Sequence, residues 1–105
     1  MALCDQPTYD LETIKALVKG GVYRITGQAL AGMGELSFDP TDVEECVAEL
    51  ASSDFHKTMP SERVPGLFQD VYRPIHCGLE LYVKLQLAPL RPRGEMAVVI
   101  SFKRK

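Results

Sequence analysis

Apolar residues recur at helical spacing in the first half of this chain and at a spacing of two from Leu67 onward. This single change of period constrains the fold more than any other feature. Leu11, Ile14, Leu17 and Val18 make one helical stripe, with Thr8 or Asp10 as its cap and Gly20-Gly21 as its stop. Val22 to Ile25 reads as a short extended piece. Thr26 then caps a second helix from Gly27 to Met33, closed by Gly34 and weakened by its internal glycines. Asp39-Pro40 starts a third, because aspartate caps a helix and proline is tolerated at its first position. Asp42, Glu44 and Glu45 fill its first turns, where the helix dipole favours negative charge, and Val43, Cys46, Val47 and Leu50 form its apolar face. Ser52-Ser53-Asp54 offers a further cap and predicts one helical turn over Phe55 to Met59, followed by a loop from Pro60 to Gly66.

The second half alternates. Leu67 to Arg73 is rich in strand formers and ends at Pro74. Leu79, Leu81, Val83, Leu85 and Leu87 point one way; Glu80, Tyr82, Lys84 and Gln86 point the other. Ala88 to Gly94 is a proline-rich, doubly basic turn. In the last strand, Glu95 to Lys103, strict alternation groups Met96, Val98, Ile100 and Phe102 against Ala97, Val99, Ser101 and Lys103. These last two strands predict an antiparallel hairpin. Helices first and strands later predict an α+β fold, with N-terminal helices packed on a C-terminal antiparallel sheet. A length of 105 residues predicts a single domain over 1–105.

The charge is split along the same line. The net charge of −2 by itself argues against a strongly basic nucleic-acid-binding protein. Residues 1–56 hold ten acids and three bases, a net −7, whereas residues 57–105 hold nine bases and four acids, a net +5. Such asymmetry can mark an anionic partner for the basic half, but taken alone it is better read as two solvated surfaces whose opposite charges help the halves dock. Cys4, Cys46 and Cys77 are odd in number and in no C-x-x-C pattern, which predicts reduced thiols and no structural zinc site. No apolar run reaches the roughly 20 residues of a membrane span, and the N-terminus lacks the regions of a signal peptide. A cytoplasmic location away from membranes is expected.

Ser53-Asp54-Phe55-His56-Lys57-Thr58-Met59, followed nine residues later by Gln69-Asp70-Val71-Tyr72-Arg73-Pro74, resembles the MqsR family of toxins from type II toxin–antitoxin modules. The resemblance continues through Tyr82-Val83-Lys84 to Ile100-Ser101-Phe102-Lys103 and reaches back to Leu11-x-x-Ile14-Lys15-x-Leu17-Val18. It implies a RelE-like fold and a sequence-selective endoribonuclease that cleaves mRNA without the ribosome. It also implies neutralisation by a cognate antitoxin, a helix-turn-helix protein that in this family can carry zinc. The family's cleavage residues fall here on Lys57, Gln69, Tyr82 and Lys103, with Met59 beside them. His56 stands where the family pattern has a tyrosine, Thr8 replaces a histidine, and the hairpin tip Leu90-Arg91-Pro92-Arg93-Gly94 is longer.

The chemistry suits these residue types. RNA cleaves itself once its 2′-hydroxyl attacks the adjacent phosphate. The protein needs to remove that proton, stabilise the added negative charge and protonate the leaving 5′-oxygen. Lys57 and Lys103 suit the second task. Tyr82 can act as acid, base or phosphate donor, and Gln69 can position phosphate or base through its amide. Arg73, Arg91 and Arg93 can hold flanking phosphates. Lys84, a solvated lysine if taken alone, joins the RNA-binding set with Met59 and His56. His56 can stack on a base or take a proton, or simply lie on the surface. His76, after Pro74, reads as a turn residue. No metal or cofactor is expected. Taken singly, each of these residues has an ordinary structural role, and the set acquires its meaning from the resemblance. The alternative function is a non-catalytic module that binds an antitoxin-like helix-turn-helix regulator through the acidic half.

Overall fold

The computed structural model describes residues 6–105; Cys4 and the stretch read for a leader lie outside them. Three helices cover one face of a six-stranded sheet, so the α+β expectation holds. The helices are α1 (Leu11–Lys19), α2 (Gly27–Glu35) and α3 (Pro40–Glu49). The strands are β1 (Tyr23–Ile25), β2 (Phe55–Pro60), β3 (Phe68–Tyr72), β4 (Ile75–His76), β5 (Leu79–Pro89) and β6 (Glu95–Arg104). The order across the sheet is β1-β6-β5-β3-β2, and β4 pairs only with the start of β5. β1 joins β6 in parallel, so the sheet is mixed rather than purely antiparallel.

Each helix starts where its cap is. Asp10 accepts from the Thr13 amide, Thr26 from the Ala29 amide, and Asp39 and Asp42 form a reciprocal capping box. Ile14, Val18, Ala29, Met33, Val43, Cys46, Val47 and Leu50 pack from the helices onto Tyr72, Leu81, Val83, Leu85, Ala97, Val99 and Phe102 of the sheet. α2 runs along the margin of β6 beyond the short β1. Thr26 donates its amide to the Val99 carbonyl and its hydroxyl to the Ile100 carbonyl, closing an otherwise open strand edge. Gly32 allows the contact: a Cβ there would lie 2.1 Å from the Phe102 carbonyl oxygen.

Three sequence expectations are corrected. Phe55 to Met59 is not a helical turn. The turn is a 3₁₀ piece at Ser52–Asp54, after which the chain extends as β2 and pairs with β3. Pro60 ends this strand at the sheet edge, where its missing amide costs no ladder bond. His76 is not an exposed turn residue but 6 % exposed, in β4, with its ring edge-on to Phe38 and Nδ1 3.3 Å from Glu49. The alternation of β6 breaks once. Lys84 pairs with Ser101 but Leu85 with Val99, so Ile100 is a bulge. Below the bulge Ala97 and Val99 face the core; above it Phe102 does. The bulge therefore turns Lys103 away from the core, where unbroken alternation from Val99 would have placed it.

Candidate active site

The face of the sheet opposite the helices carries the predicted residues. Cross-strand partners lie on the same side of a sheet, so the register builds this face row by row. One row is Lys57 (β2), Val71 (β3), Lys84 (β5) and Ser101 (β6). The next contains Met59 paired with Gln69, and Gln86 paired with Val98. On the other side, Tyr82 pairs with Lys103. Two strand spacings, roughly 10 Å, separate the backbones of Lys57 and Lys84.

Local contacts tie the rows together. The Gln69 side-chain amide donates to Gln86 Oε1 at 2.9 Å, and both side chains are buried. The Tyr82 hydroxyl lies 3.9 Å from Met59 Sδ. The ammonium groups of Lys103 and Lys84 stand 5.1 Å and 5.9 Å from the centre of the Tyr82 ring. Val71 and Val98 form a buried floor outside the main core cluster, which keeps the ground beneath these polar groups apolar.

That floor shows in the ionisation of the groups above it. Burial raises the Tyr82 pKa above 10.0, and the charge of Glu62 raises it further. Both effects favour the protonated hydroxyl, the form that can donate a hydrogen bond. Burial lowers the Lys84 pKa below 10.5. Glu62 opposes this, while Lys103 and Lys57 add to it as like charges. Three lysines thus share one electrostatic site, and one is partly desolvated.

Two hollows flank Tyr82 along β5. One, of about 510 Å³, is lined by Lys84, Gln69 and Gln86 from the sheet, Glu62 and Arg63 from the loop between β2 and β3, and Arg24 and Gln28 from the first half of the chain. The other, of about 320 Å³, holds His56 and Arg73 together with Glu80. Lys57, Gln69, Tyr82, Lys103, Met59 and Lys84 thus share one face, with His56 and Arg73 beside its Glu80 end. Arg91 and Arg93 do not join them. They sit at the exposed tip of the β5–β6 hairpin, beyond the end of β5 at Pro89, which is itself five residues and about 17 Å along the strand from Lys84.

Sequence reasoning did not single out Gln86, Glu62, Arg24 or Gln28. Gln86 was legible as a polar-face residue, and Arg24 as one of only three bases in the acidic half. Glu62 and Gln28 left no periodic signal. On the helical side, ligand-type atoms of Asp42, Glu45 and His76 lie within 4.8 Å of one another. Asp42 is already engaged in the α3 capping box and His76 with Glu49.

The family described as "Motility quorum-sensing regulator, toxin of MqsA" matches residues 6–104. The chain is also similar to the "mRNA interferase toxin MqsR" of Escherichia coli strain K12, with 31 % identity over 99 residues, 94 % of this chain and 95 % of the relative. The match spans every strand that contributes to the lysine, tyrosine and glutamine face, and the chain belongs to the MqsR toxin family.

Proposed function

We propose that this protein is an mRNA-cleaving toxin whose single domain, residues 1–105, works through the open sheet face without a metal cofactor. Endoribonuclease activity follows from its membership of the MqsR toxin family and its similarity to a relative named as an mRNA interferase. The observation that carries the mechanism is the gathering of Lys57, Lys84 and Lys103 on the sheet face that holds Tyr82, with Lys84 and Lys103 beside its ring.

The scissile phosphate lies over Tyr82. Lys57 and Lys103 neutralise the charge that grows on the phosphoryl oxygens, and over an apolar floor each cation acts more strongly than in water. The Tyr82 hydroxyl donates to the phosphate or to the leaving 5′-oxygen. Gln69, braced by Gln86, presents an amide to a phosphate or base edge. The two hollows accept the nucleotides on either side, with Arg73 and His56 in one and Arg24 and Gln28 in the other. This set supplies from side chains both the charge stabilisation a metal ion can otherwise provide as a Lewis acid and a proton for the leaving oxygen.

The chain acts in the cytoplasm, where its substrate is made, and its partner is the antitoxin that the family description implies. We assign that partner a helix-turn-helix part and a zinc-binding part. Among the described residues, no helix is long and apolar enough to cross a membrane.

The test is incubation of the purified protein with RNA in EDTA. Products ending in a 2′,3′-cyclic phosphate and a 5′-hydroxyl are expected, with strong loss of cleavage in Lys57→Ala. RNA left intact by the parent protein, despite tight binding to a neighbouring helix-turn-helix protein, would make it a non-catalytic interaction module instead.

A further inference from the structure

Removal of the 2′-hydroxyl proton has no owner among Lys57, Gln69, Tyr82 and Lys103. Glutamine does not titrate, an ammonium has no lone pair, and burial keeps Tyr82 protonated. His56 lines the other hollow. One further group stands beside the site, in the hollow that Lys84 lines. Glu62, on the loop between β2 and β3, is the one acid lining the hollow that also exposes Lys84, Gln69 and Gln86. Its charge acts on both Tyr82 and Lys84. Among the described residues no ion pair within 4.0 Å engages it. The other charged groups facing it are cations: Lys84 on β5, Arg24 on β1 and Arg63 on its own loop. A carboxylate in a basic cleft opposes the binding of a polyanion, so its presence calls for a chemical use rather than a binding one.

We propose that Glu62 is the general base of the cleavage reaction. The assignment rests on the ribonuclease reading above. The 2′-hydroxyl proton passes to a Glu62 carboxylate oxygen as the O2′–P bond forms. The P–O5′ bond breaks, and the leaving oxygen takes a proton from the Tyr82 hydroxyl or the Lys84 ammonium. Loss of the Glu62 proton to water, and recovery of one by the acid, restores the site. Lys84 is suited to the acid role because burial weakens its hold on its proton.

The experiment compares parent, Glu62→Gln and Glu62→Asp. Single-turnover cleavage rates are compared, and binding is measured with an RNA whose 2′-hydroxyl at the cleavage position is replaced by hydrogen. Glu62→Gln is expected to lower the rate about 100-fold or more. It is expected to bind the uncleavable RNA as well as the parent or more tightly, because a negative charge has left the cleft. Glu62→Asp is expected to recover part of the rate. Glu62→Gln cleaving within threefold of the parent would overturn the assignment while leaving the ribonuclease reading intact. A parent that cleaves no RNA removes that reading and the assignment with it.

Discussion

Lys103 stands directly across the β5–β6 ladder from Tyr82, its ammonium 5.1 Å from the ring centre. The bulge at Ile100 makes this pairing possible, because it returns Lys103 to the open face while Phe102 enters the core. Lys103→Met and Tyr82→Phe are each expected to lower the cleavage rate about 100-fold with little change in melting temperature. The double variant should lose less than the product of the two, since the residues act on one phosphate. Full additivity in single-turnover rates would mean that they act independently.

RNA affinity is expected to depend on salt through the three clustered lysines. With about 0.7 counterions released per phosphate contact on a single strand, three contacts give a log–log slope near −2. Replacing Lys57, Lys84 or Lys103 by methionine should flatten it by about 0.7 each, whereas Arg91→Gln at the distant hairpin tip should change it less. Titration of an uncleavable oligonucleotide at several salt concentrations checks this.

The lowered pKa of Lys84 sets the sign of an alkaline effect. Its ammonium is disfavoured by burial in the free protein and favoured by a bound phosphate. RNA binding therefore takes up a proton at pH above the lowered free-protein value, up to the higher value that the bound phosphate confers. Affinity should fall as pH rises through that window. The Tyr82 pKa moves the other way, raised by burial, so the two groups are distinguished by their own variants. Lys84→Met should remove this component of the slope; a slope unchanged in that variant would show that another group titrates.

Gly32→Ala should destabilise the protein. In an exposed helix this change normally gains up to about 1 kcal/mol. Here the added carbon meets the Phe102 carbonyl oxygen at 2.1 Å and the Lys103 Cβ at 3.2 Å. Overpacking of this kind costs about 1–3 kcal/mol. Because α2 must shift away from β6, cleavage should fall as well. Urea denaturation reports the sign: a raised midpoint would mean that α2 lies farther from β6.

Asp70→Asn should loosen the segment that precedes α1. The carboxylate, fully buried on β3, accepts from the amides of Thr8 and Tyr9 at 2.9 Å and 2.8 Å. The isosteric amide turns one acceptor into a donor facing an N–H group, at an expected cost of about 3 kcal/mol. Faster hydrogen exchange at Thr8 and Tyr9 than in the parent would locate the effect.

Local chemistry along the chain determined much of this protein. The caps at Asp10, Thr26 and Asp39, the apolar stripes of α1 and α3 and the alternation of β5 are short-range signals, and the helices and strand form where those signals lie. The charge division was legible too, and four of the clustered residues were named through a family pattern. Tertiary structure decided what short-range signals do not encode. Ile100 became a bulge because β6 must satisfy the core with Val99 below and Phe102 above, an odd spacing that alternation cannot supply. Phe55 to Pro60 became an edge strand because β3 offered it a ladder. His76 was buried by Phe38, which is distant in sequence. The hollow beside Lys84 drew Arg24 and Gln28 from the acidic half and Glu62 from a loop. A site of this kind is assembled by contacts across long sequence separations, and its full membership became visible only once the sheet had set its register.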